Sequence, residues 1–338
     1  MIKPWLFEFF PAHVVTGNRE LDFDPEATQQ RFQDYIRLWK FDEELGFEGI
    51  FFSEHHFGPA YAPSPNLLIA YLASVTSTIR LGVNGTVSPY STPWRVVEEY
   101  AMLDHLTKGR LEMGLVSGIP PECIAVGITP QDTVERHAEI MSVVEKSRTG
   151  RSVTHQGKHW SFEKLNLQPR MYQQNPSMWT AAVSLSSAER AGRNGWKLCV
   201  GFHDVAVLKR MLDGFRMAAN EVGRATTPDD LAIRRSVYFI EPGVDPVQAR
   251  AETRDYFLRA LLDQADPSKA PPVSDDEFIV GTPEQVAEQI IAQCREVGCG
   301  NFLFGPIGRT FEAMWQCHET FGQKVIPILR NADIKIRE

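Results

Sequence analysis

Short apolar runs alternate with longer stretches in which apolar residues recur at helical spacing. The short runs predict eight strands, at residues 5–9, 49–52, 79–83, 111–116, 178–183, 198–201, 236–240 and 301–305. The longer stretches predict helices at about 27–45, 67–77, 94–106, 132–148 and immediately before 194–195, with others centred near 212, 255, 290 and 318.

Nearly continuous apolar strands separated by helices are typical of a parallel sheet that is buried on both faces. In a chain of 338 residues, the most economical closure of eight such units is a (β/α)8 barrel, the fold of TIM barrels. We therefore expect a single α/β barrel domain over residues 1–338. A doubly wound sheet is the alternative, but the chain lacks the GxGxxG turn after its first strand and also lacks a GxxxxGK[ST] loop.

Two segments depart from the alternation of strands and helices. Residues 150–178 are predicted to form an insertion with a short hairpin before the fifth strand. Residues 262–280 follow the seventh strand and are rich in Pro, Asp and Ser. Because long loops without regular structure are more often functional than accidental, we expect residues 262–280 to form a mobile lid over the active site.

Composition narrows the class of protein. The chain is 43% hydrophobic and 23% charged, which is typical of globular proteins, and its net charge of −8 argues against nucleic acid or an anionic membrane as a partner. It has no apolar stretch long enough to cross a bilayer and no signal peptide at its start, so we expect a cytoplasmic enzyme. Its five cysteines have neither metal nor redox spacing and are expected to be reduced and mostly buried.

A polar cluster, Ser53-Glu54-His55-His56, directly follows the second apolar run. In a (β/α)8 barrel the carboxyl ends of the strands form the rim of the active site, which explains polar residues at this point. The same rim is expected to carry Asn84, Gly85, Ser117, Gly118, Val183, Ser184, Gly305 and Pro306.

The paired histidines allow several interpretations. Neighbouring side chains in an extended chain point to opposite sides, so at most one histidine is expected to face the pocket. A metal site is disfavoured because neither HExxH nor CxxC accompanies the pair. A buried structural histidine and a histidine that moves a proton at neutral pH both remain open.

The second candidate site is the start of a helix at Ser184-Leu185-Ser186-Ser187, immediately after the fifth strand. A helix N-terminus offers free N–H groups and a positive dipole end, which attract a phosphate. Ordinary capping of the helix by a serine is the alternative.

With both sites in view, the sequence resembles the bacterial luciferase-like flavin-dependent monooxygenases, the family of the alkanal monooxygenase (luciferase) α-subunit. The likeness extends over nearly the whole chain. It is carried by SEHHF at 53–57, by residues 89–118, 181–196 and 278–290, and by the hairpin at 157–170.

The resemblance implies a barrel that is usually dimeric and binds reduced FMN or, in one branch, the deazaflavin F420. It places His55 as an acid/base, with Glu54 beside it and His56 also lining the flavin pocket. It further implies a cis peptide at Asn84–Gly85 beneath the flavin and phosphate binding by Ser184 and Ser187. The remaining cofactor-binding residues are expected to be Ser117, Gly118, Arg136, Leu185 and Ser186.

The sequence also departs from the luciferase pattern. Ser117 stands where luciferase-type subunits carry an arginine near the phosphate, so either Arg136 or the helix dipole neutralises the phosphate, or its affinity is weak. Val116 replaces a reactive cysteine, and Val183 replaces an acid. Light emission is therefore not expected of this chain.

The expected function is that of a two-component monooxygenase. Reduced FMN, delivered by a separate flavin reductase, would react with O2 to a C4a-peroxyflavin that oxygenates a small or medium apolar organic substrate, with His55 as the acid/base. An F420-dependent hydride-transfer enzyme on the same barrel is one alternative. A non-catalytic flavin-binding subunit is another, and the intact SEHHF motif argues against it.

Overall fold

The apolar runs form a closed barrel of parallel strands in the computed structural model, which describes residues 1–12, 19–261 and 273–333. The strands are β1 (Lys3–Glu8), β2 (Gly49–Phe52), β3 (Arg80–Val83), β4 (Thr86–Val87), β5 (Leu111–Val116), β6 (Val153–Gln156), β7 (Ser161–Leu165), β8 (Met178–Ala182), β9 (Lys197–Val200), β10 (Leu231–Phe239), β11 (Phe278–Gly281) and β12 (Asn301–Pro306).

Helices separate these strands along the chain. The α-helices are α1 (Pro25–Leu45), α2 (Pro65–Val75), α3 (Pro93–Leu106), α4 (Pro120–Ala125), α5 (Pro130–Thr149), α6 (Leu185–Asn194), α7 (Val205–Glu221), α8 (Pro246–Tyr256), α9 (Pro283–Val297), α10 (Phe311–Thr320) and α11 (Ile326–Asn331). None of the helices in the described ranges combines the length and the apolar character that a membrane span requires.

The order of strands around the barrel is β1-β2-β3-β5-β8-β9-β10-β12, and β12 pairs with β1 to close it. These eight strands are the eight predicted from the sequence, so the (β/α)8 barrel is confirmed. A doubly wound sheet would instead have two open edges.

Successive side chains of each strand point alternately into and out of the barrel, and this places large aromatic rings inside it. Trp5, Phe51, Trp179 and Leu303 share one buried cluster, and the rings of Trp5 and Phe51 stack at 4.9 Å between centroids. Residues of the opposite faces of the same strands pack against the surrounding helices. All five cysteines are buried and unpaired, as expected.

The seventh barrel strand differs from the prediction. β10 begins at Leu231 rather than residue 236, and its second half pairs with β11 through Ser236↔Phe278. The prediction of a lid over residues 262–280 is therefore wrong at its C-terminal end, because Phe278, Ile279 and Val280 are apolar and continue the sheet. Residues 262–272 lie outside the described residues.

The insertion at 150–178 contains the predicted hairpin, formed by the antiparallel pair β6 and β7. A cluster of Asp132, Glu135 and His159 joins α5 to this hairpin. The Lys158 ammonium lies 2.7 Å from Glu135 and 3.5 Å from Asp132, so a cation already balances these carboxylates. We interpret the cluster as a structural contact.

Candidate active site

The barrel is open to solvent beside β8. Trp179 belongs to the interior cluster, and Ala181 lies two residues further along the same face. Ala181 is nevertheless exposed, and Val183, after the strand end, is 76% exposed. An inward-facing residue that reaches solvent marks a cavity at the carboxyl ends of the strands.

His55 forms a hydrogen bond with a carboxylate that the sequence did not suggest. Its Nδ1 lies 3.0 Å from Oε1 of Glu122, which is buried on α4. The imidazole also stacks on the ring of Phe9, with centroids 5.8 Å apart. His55 is thus fixed from two sides and remains half-buried at the mouth of the barrel.

His56 forms the second histidine–carboxylate pair. Its Nε2 lies 3.2 Å from Oε1 of Glu54, the residue that was expected beside His55. The hydrogen bond to Glu54 raises the pKa of His56, burial opposes the shift, and the charges of Glu54 and Glu122 add to it. The ring of Tyr90 packs edge-on against His56 at 5.0 Å.

Glu122 lies in the sequence Pro120-Pro121-Glu122-Cys123, far along the chain from the histidines. Its Oε2 is buried and has no hydrogen-bond partner among the described residues. The Cys123 thiol, next in the chain, accepts from the Tyr90 hydroxyl at 3.5 Å. The only sequence indication for Glu122 is its position shortly after the fourth barrel strand, where rim residues are expected.

The peptide Asn84–Gly85 is cis, which confirms the expectation from the sequence. Asn84 is only 5% exposed and its side chain lies beside the Cys199 thiol, but neither Oδ1 nor Nδ2 has good hydrogen-bond geometry with any group in the described ranges. A Cβ on Gly85 would lie 3.0 Å from Val116 and 3.1 Å from the backbone of Gly114. This wall of the mouth therefore combines close backbone packing with a buried, unpaired amide.

The predicted phosphate site is the N-terminus of α6. Ser184 caps the helix by accepting from the backbone N–H of Ser187 at 3.3 Å. Its hydroxyl is also 2.7 Å from the Ser187 hydroxyl and 3.3 Å from that of Ser186. Leu185 is exposed beside them. Three hydroxyls and a free helix end therefore face solvent together.

Ser117 and Gly118 follow β5 and are half-buried at the rim. Gly118 has φ of 83°, and a Cβ there would meet Val87 at 2.6 Å, so this turn requires glycine. Arg136 approaches Pro89 O, at 3.5 Å, and lines a groove of about 420 Å³ together with His56 and Tyr90. Within the described residues it makes no hydrogen bond to Ser184 or Ser187, so its role at a phosphate stays a prediction.

A buried arginine that was not among the predicted site residues, Arg234, lies on the inner face of β10. Arg234 precedes the strand predicted at 236–240, so the hydrophobic pattern did not place it inside the barrel. Its placement depends on Glu277, which lies far along the chain and accepts from its guanidinium.

These residues fit a planar, phosphate-bearing cofactor. The unpaired Asn84 amide offers both a donor and an acceptor to a heteroaromatic ring. The α6 N-terminus offers hydroxyls and N–H groups to a phosphate. These residues could therefore hold the ring and the phosphate of such a cofactor.

Comparisons with known proteins show the family of the chain and its fold. The sequence profile of the family described as luciferase-like monooxygenase matches residues 13–299. The chain is 34% identical to y4wF of Sinorhizobium fredii over 62% of both chains. It is 27% identical to the oxygenase component of the flavin-dependent trigonelline monooxygenase of Acinetobacter baylyi, over 81% of this chain and 80% of that protein. The alignments with y4wF and with a second Sinorhizobium fredii protein span 62% and 59% of those relatives.

Solved structures share the fold at lower identity. Monooxygenase RslO1 from Streptomyces bottropensis superposes with a TM-score of 0.83 at 23% identity, over 96% of this chain and 99% of that one. The FMN complex of the oxygenating constituent of 3,6-diketocamphane monooxygenase from Pseudomonas putida gives 0.74 at 20%, over 97% and 98%. An F420-dependent secondary alcohol dehydrogenase gives 0.75 at 17%, over 98% and 99%.

Proposed function

Because the chain belongs to the luciferase-like monooxygenase family, we propose that it is the oxygenase component of a two-component flavin-dependent monooxygenase. It would use reduced FMN and O2 to oxygenate a small or medium apolar organic substrate. The observation that carries this proposal is the pair of histidine–carboxylate contacts, His55–Glu122 and His56–Glu54, at the mouth of a barrel whose wall holds the unpaired Asn84 amide.

In this proposal, Asn84 and Gly85 support the flavin ring, and Ser184 and Ser187 bind its phosphate. Ser117, Gly118, Leu185 and Ser186 complete the rim around the cofactor, and Arg136 adds positive charge from the groove beside His56. Bound reduced FMN supplies the electrons that activate O2.

His55 is assigned the acid/base role. Glu122 accepts from Nδ1–H, which favours the tautomer in which Nε2 is free to take up or deliver a proton. The stacked Phe9 ring covers one face of the imidazole and limits the access of water. The hydrogen bond to Glu54 raises the pKa of His56 and so favours its imidazolium form close to His55.

The partners follow from the same proposal. Reduced FMN would come from a separate flavin reductase through transient contact or diffusion. We expect a homodimer by analogy with the family, and a cytoplasmic location.

Two alternatives are distinguished by one experiment. A histidine–carboxylate pair could equally assist F420-dependent hydride transfer, and a non-catalytic subunit would bind flavin without activating O2. We would titrate the protein anaerobically with reduced FMN and with reduced F420, and then mix each complex with oxygenated buffer while following reoxidation.

Tight binding of reduced FMN, with reoxidation kinetics that differ from those of free flavin, is expected. The His55→Asn variant should keep the FMN affinity and lose the altered kinetics. Preference for F420 would favour hydride transfer. FMN binding with reoxidation identical to that of free flavin would favour the non-catalytic subunit.

A further inference from the structure

Arg234 lies in a cage of aromatic rings inside the barrel mouth. Its side chain is only 3% exposed, and its Cζ lies 5.1–5.5 Å from the centroids of Phe7, Phe9, Phe202 and Phe257. Phe7 and Phe257 are buried, whereas Phe9 and Phe202 are partly exposed and form the outer side of the cage. Such rings stabilise a desolvated cation through their electron-rich faces.

The positive charge in this region is not fully balanced. Arg234 and Arg235 both donate to the carboxylate of Glu277, and all three side chains are buried. Glu277 also accepts from the backbone N–H groups of Phe202 and Ser236 and from the Ser236 hydroxyl. Two guanidinium groups therefore share one carboxylate, which leaves a buried positive charge that an incoming anion would offset.

Only one side of the Arg234 guanidinium makes hydrogen bonds within the described residues. Nη1 donates to Glu277 and, at 2.9 Å, to the Ser236 hydroxyl. Nε is buried without a hydrogen-bond partner in the described part of the chain, and Nη2 makes no hydrogen bond there either. The parallel N–H groups of an Nε/Nη2 edge match the two oxygens of a carboxylate.

Strand backbone packs closely against the Arg234 side chain. A Cβ on Gly305 of β12 would lie 2.5 Å from Nη2 of Arg234. Gly201, after β9, packs against the stem of Arg234, where a Cβ would lie 3.4 Å from the Arg234 Cβ. Glycine at these two positions gives the Arg234 side chain the space that it occupies inside the barrel.

The position of Arg234 also separates it from the cofactor side. The residues assigned to FMN follow β3, β5 and β8, which are consecutive in the barrel. Arg234 and its surroundings belong chiefly to β10, β12 and β1, which lie directly across the mouth from those strands. His55, after β2, lies between the two sides and contacts the cage through Phe9.

We propose that Arg234 binds a carboxylate of the organic substrate through its Nε/Nη2 edge, so that the substrate is an apolar carboxylic acid in its anionic form. This inference rests on the proposed function and narrows its substrate class. The carboxylate enters past Phe9 and Phe202, and the apolar remainder of the substrate lies toward His55 and the flavin side.

The first test compares benzoate with benzamide, which has the same shape and no charge. Binding of each is measured by calorimetry and by the shift in thermal unfolding, with and without saturating FMN. Benzoate should bind at least about tenfold more tightly than benzamide, since a paired carboxylate forms charge-assisted hydrogen bonds.

The second test uses two matched variants. Arg234→Gln should weaken benzoate binding at least about tenfold and leave benzamide and reduced FMN unaffected. Arg235→Gln is the control, because it removes the other guanidinium from Glu277 but faces Gln293 and the His203 carbonyl instead of the mouth. Arg235→Gln removes the excess positive charge but keeps the Nε/Nη2 edge of Arg234, so it should weaken benzoate binding less than Arg234→Gln does. Arg234→Lys keeps the positive charge but lacks the two parallel N–H groups of the Nε/Nη2 edge. Its affinity for benzoate should lie between those of wild type and Arg234→Gln.

Three results would overturn the proposal. One is equal binding of benzoate and benzamide to the wild type, a comparison that does not depend on any variant folding. Another is weaker binding of reduced FMN to Arg234→Gln with unchanged benzoate binding, which would mean that the guanidinium serves the flavin. The third is equal loss of benzoate binding in both glutamine variants. Failure of wild type to bind reduced FMN, with benzoate selectivity intact, would instead overturn the proposed function alone.

Discussion

His55 and Glu122 form a hydrogen bond of 3.0 Å that joins the loop after β2 to helix α4. The neighbouring pair, His56 and Glu54, lies close enough that the charge of Glu122 also contributes to the raised pKa of His56. The two pairs therefore form one electrostatic unit at the mouth of the barrel. Changes in one pair should be detectable in the other.

Glu122→Gln tests the first pair. The amide still accepts from Nδ1–H but carries no charge to stabilise the imidazolium, so kcat should fall about 10- to 100-fold. Affinity for reduced FMN, measured anaerobically, should stay within about twofold of wild type. A loss of FMN affinity as large as the loss of kcat would mean that Glu122 builds the flavin site instead of orienting His55.

Glu54→Gln tests the second pair through the titration of His56. Because the hydrogen bond to Glu54 is the main cause of the raised pKa of His56, the variant should titrate at lower pH in NMR spectra of the imidazole C–H groups. An unchanged His56 titration would show that the contact with Glu54 does not form in solution.

The same variant predicts a pH-dependent change in stability. A histidine whose pKa is raised on folding adds stability that is fully present below the unfolded pKa of about 6.5 and is lost as the pH rises through the folded pKa. The difference in unfolding free energy between wild type and Glu54→Gln should therefore be larger at about pH 6 than above the folded pKa. Urea denaturation at a series of pH values measures it, and a difference that grows with pH would contradict the assignment.

The barrel was predictable because strands buried on both faces are continuously apolar, as in Gly49–Phe52. The strand Phe278–Gly281 was missed because its apolar residues follow a Pro- and Asp-rich segment and read as the end of a loop. Glu122 and Arg234 were missed for a different reason. Each is placed by a partner distant in the chain, His55 and Glu277 respectively, and no periodic pattern encodes such pairs.

Ser184→Ala combined with Ser187→Ala tests the phosphate site. Removing both hydroxyls should weaken FMN binding about tenfold or more while riboflavin binding changes little, because only FMN carries the phosphate. Loss of the Ser184 cap should also cost about 1 kcal/mol of stability. The matched control is Thr310→Ala, which removes the cap of α10. Equal loss of FMN and riboflavin binding would place the phosphate elsewhere.

Asp42 and His318 form a buried ion pair behind β1, with Nδ1 of His318 2.8 Å from Oδ1 of Asp42 and both side chains fully buried. Burial alone would lower the pKa of His318, but the Asp42 carboxylate raises it above its ordinary value. Asp42→Ala should therefore leave an uncompensated buried histidine and reduce the unfolding free energy by about 3–5 kcal/mol.

Arg95→Ala is the control for this effect, because the pair of Arg95 with Glu99 is exposed and should contribute about 0.5 kcal/mol or less. The double variant Asp42→Ala/His318→Ala should lose less stability than the sum of the two single changes, since removing both groups leaves no unpaired charge. Strict additivity in urea denaturation would show that the two side chains do not interact. Because neither residue contacts the candidate active site in the structure, flavin affinity should change little wherever the variants remain folded.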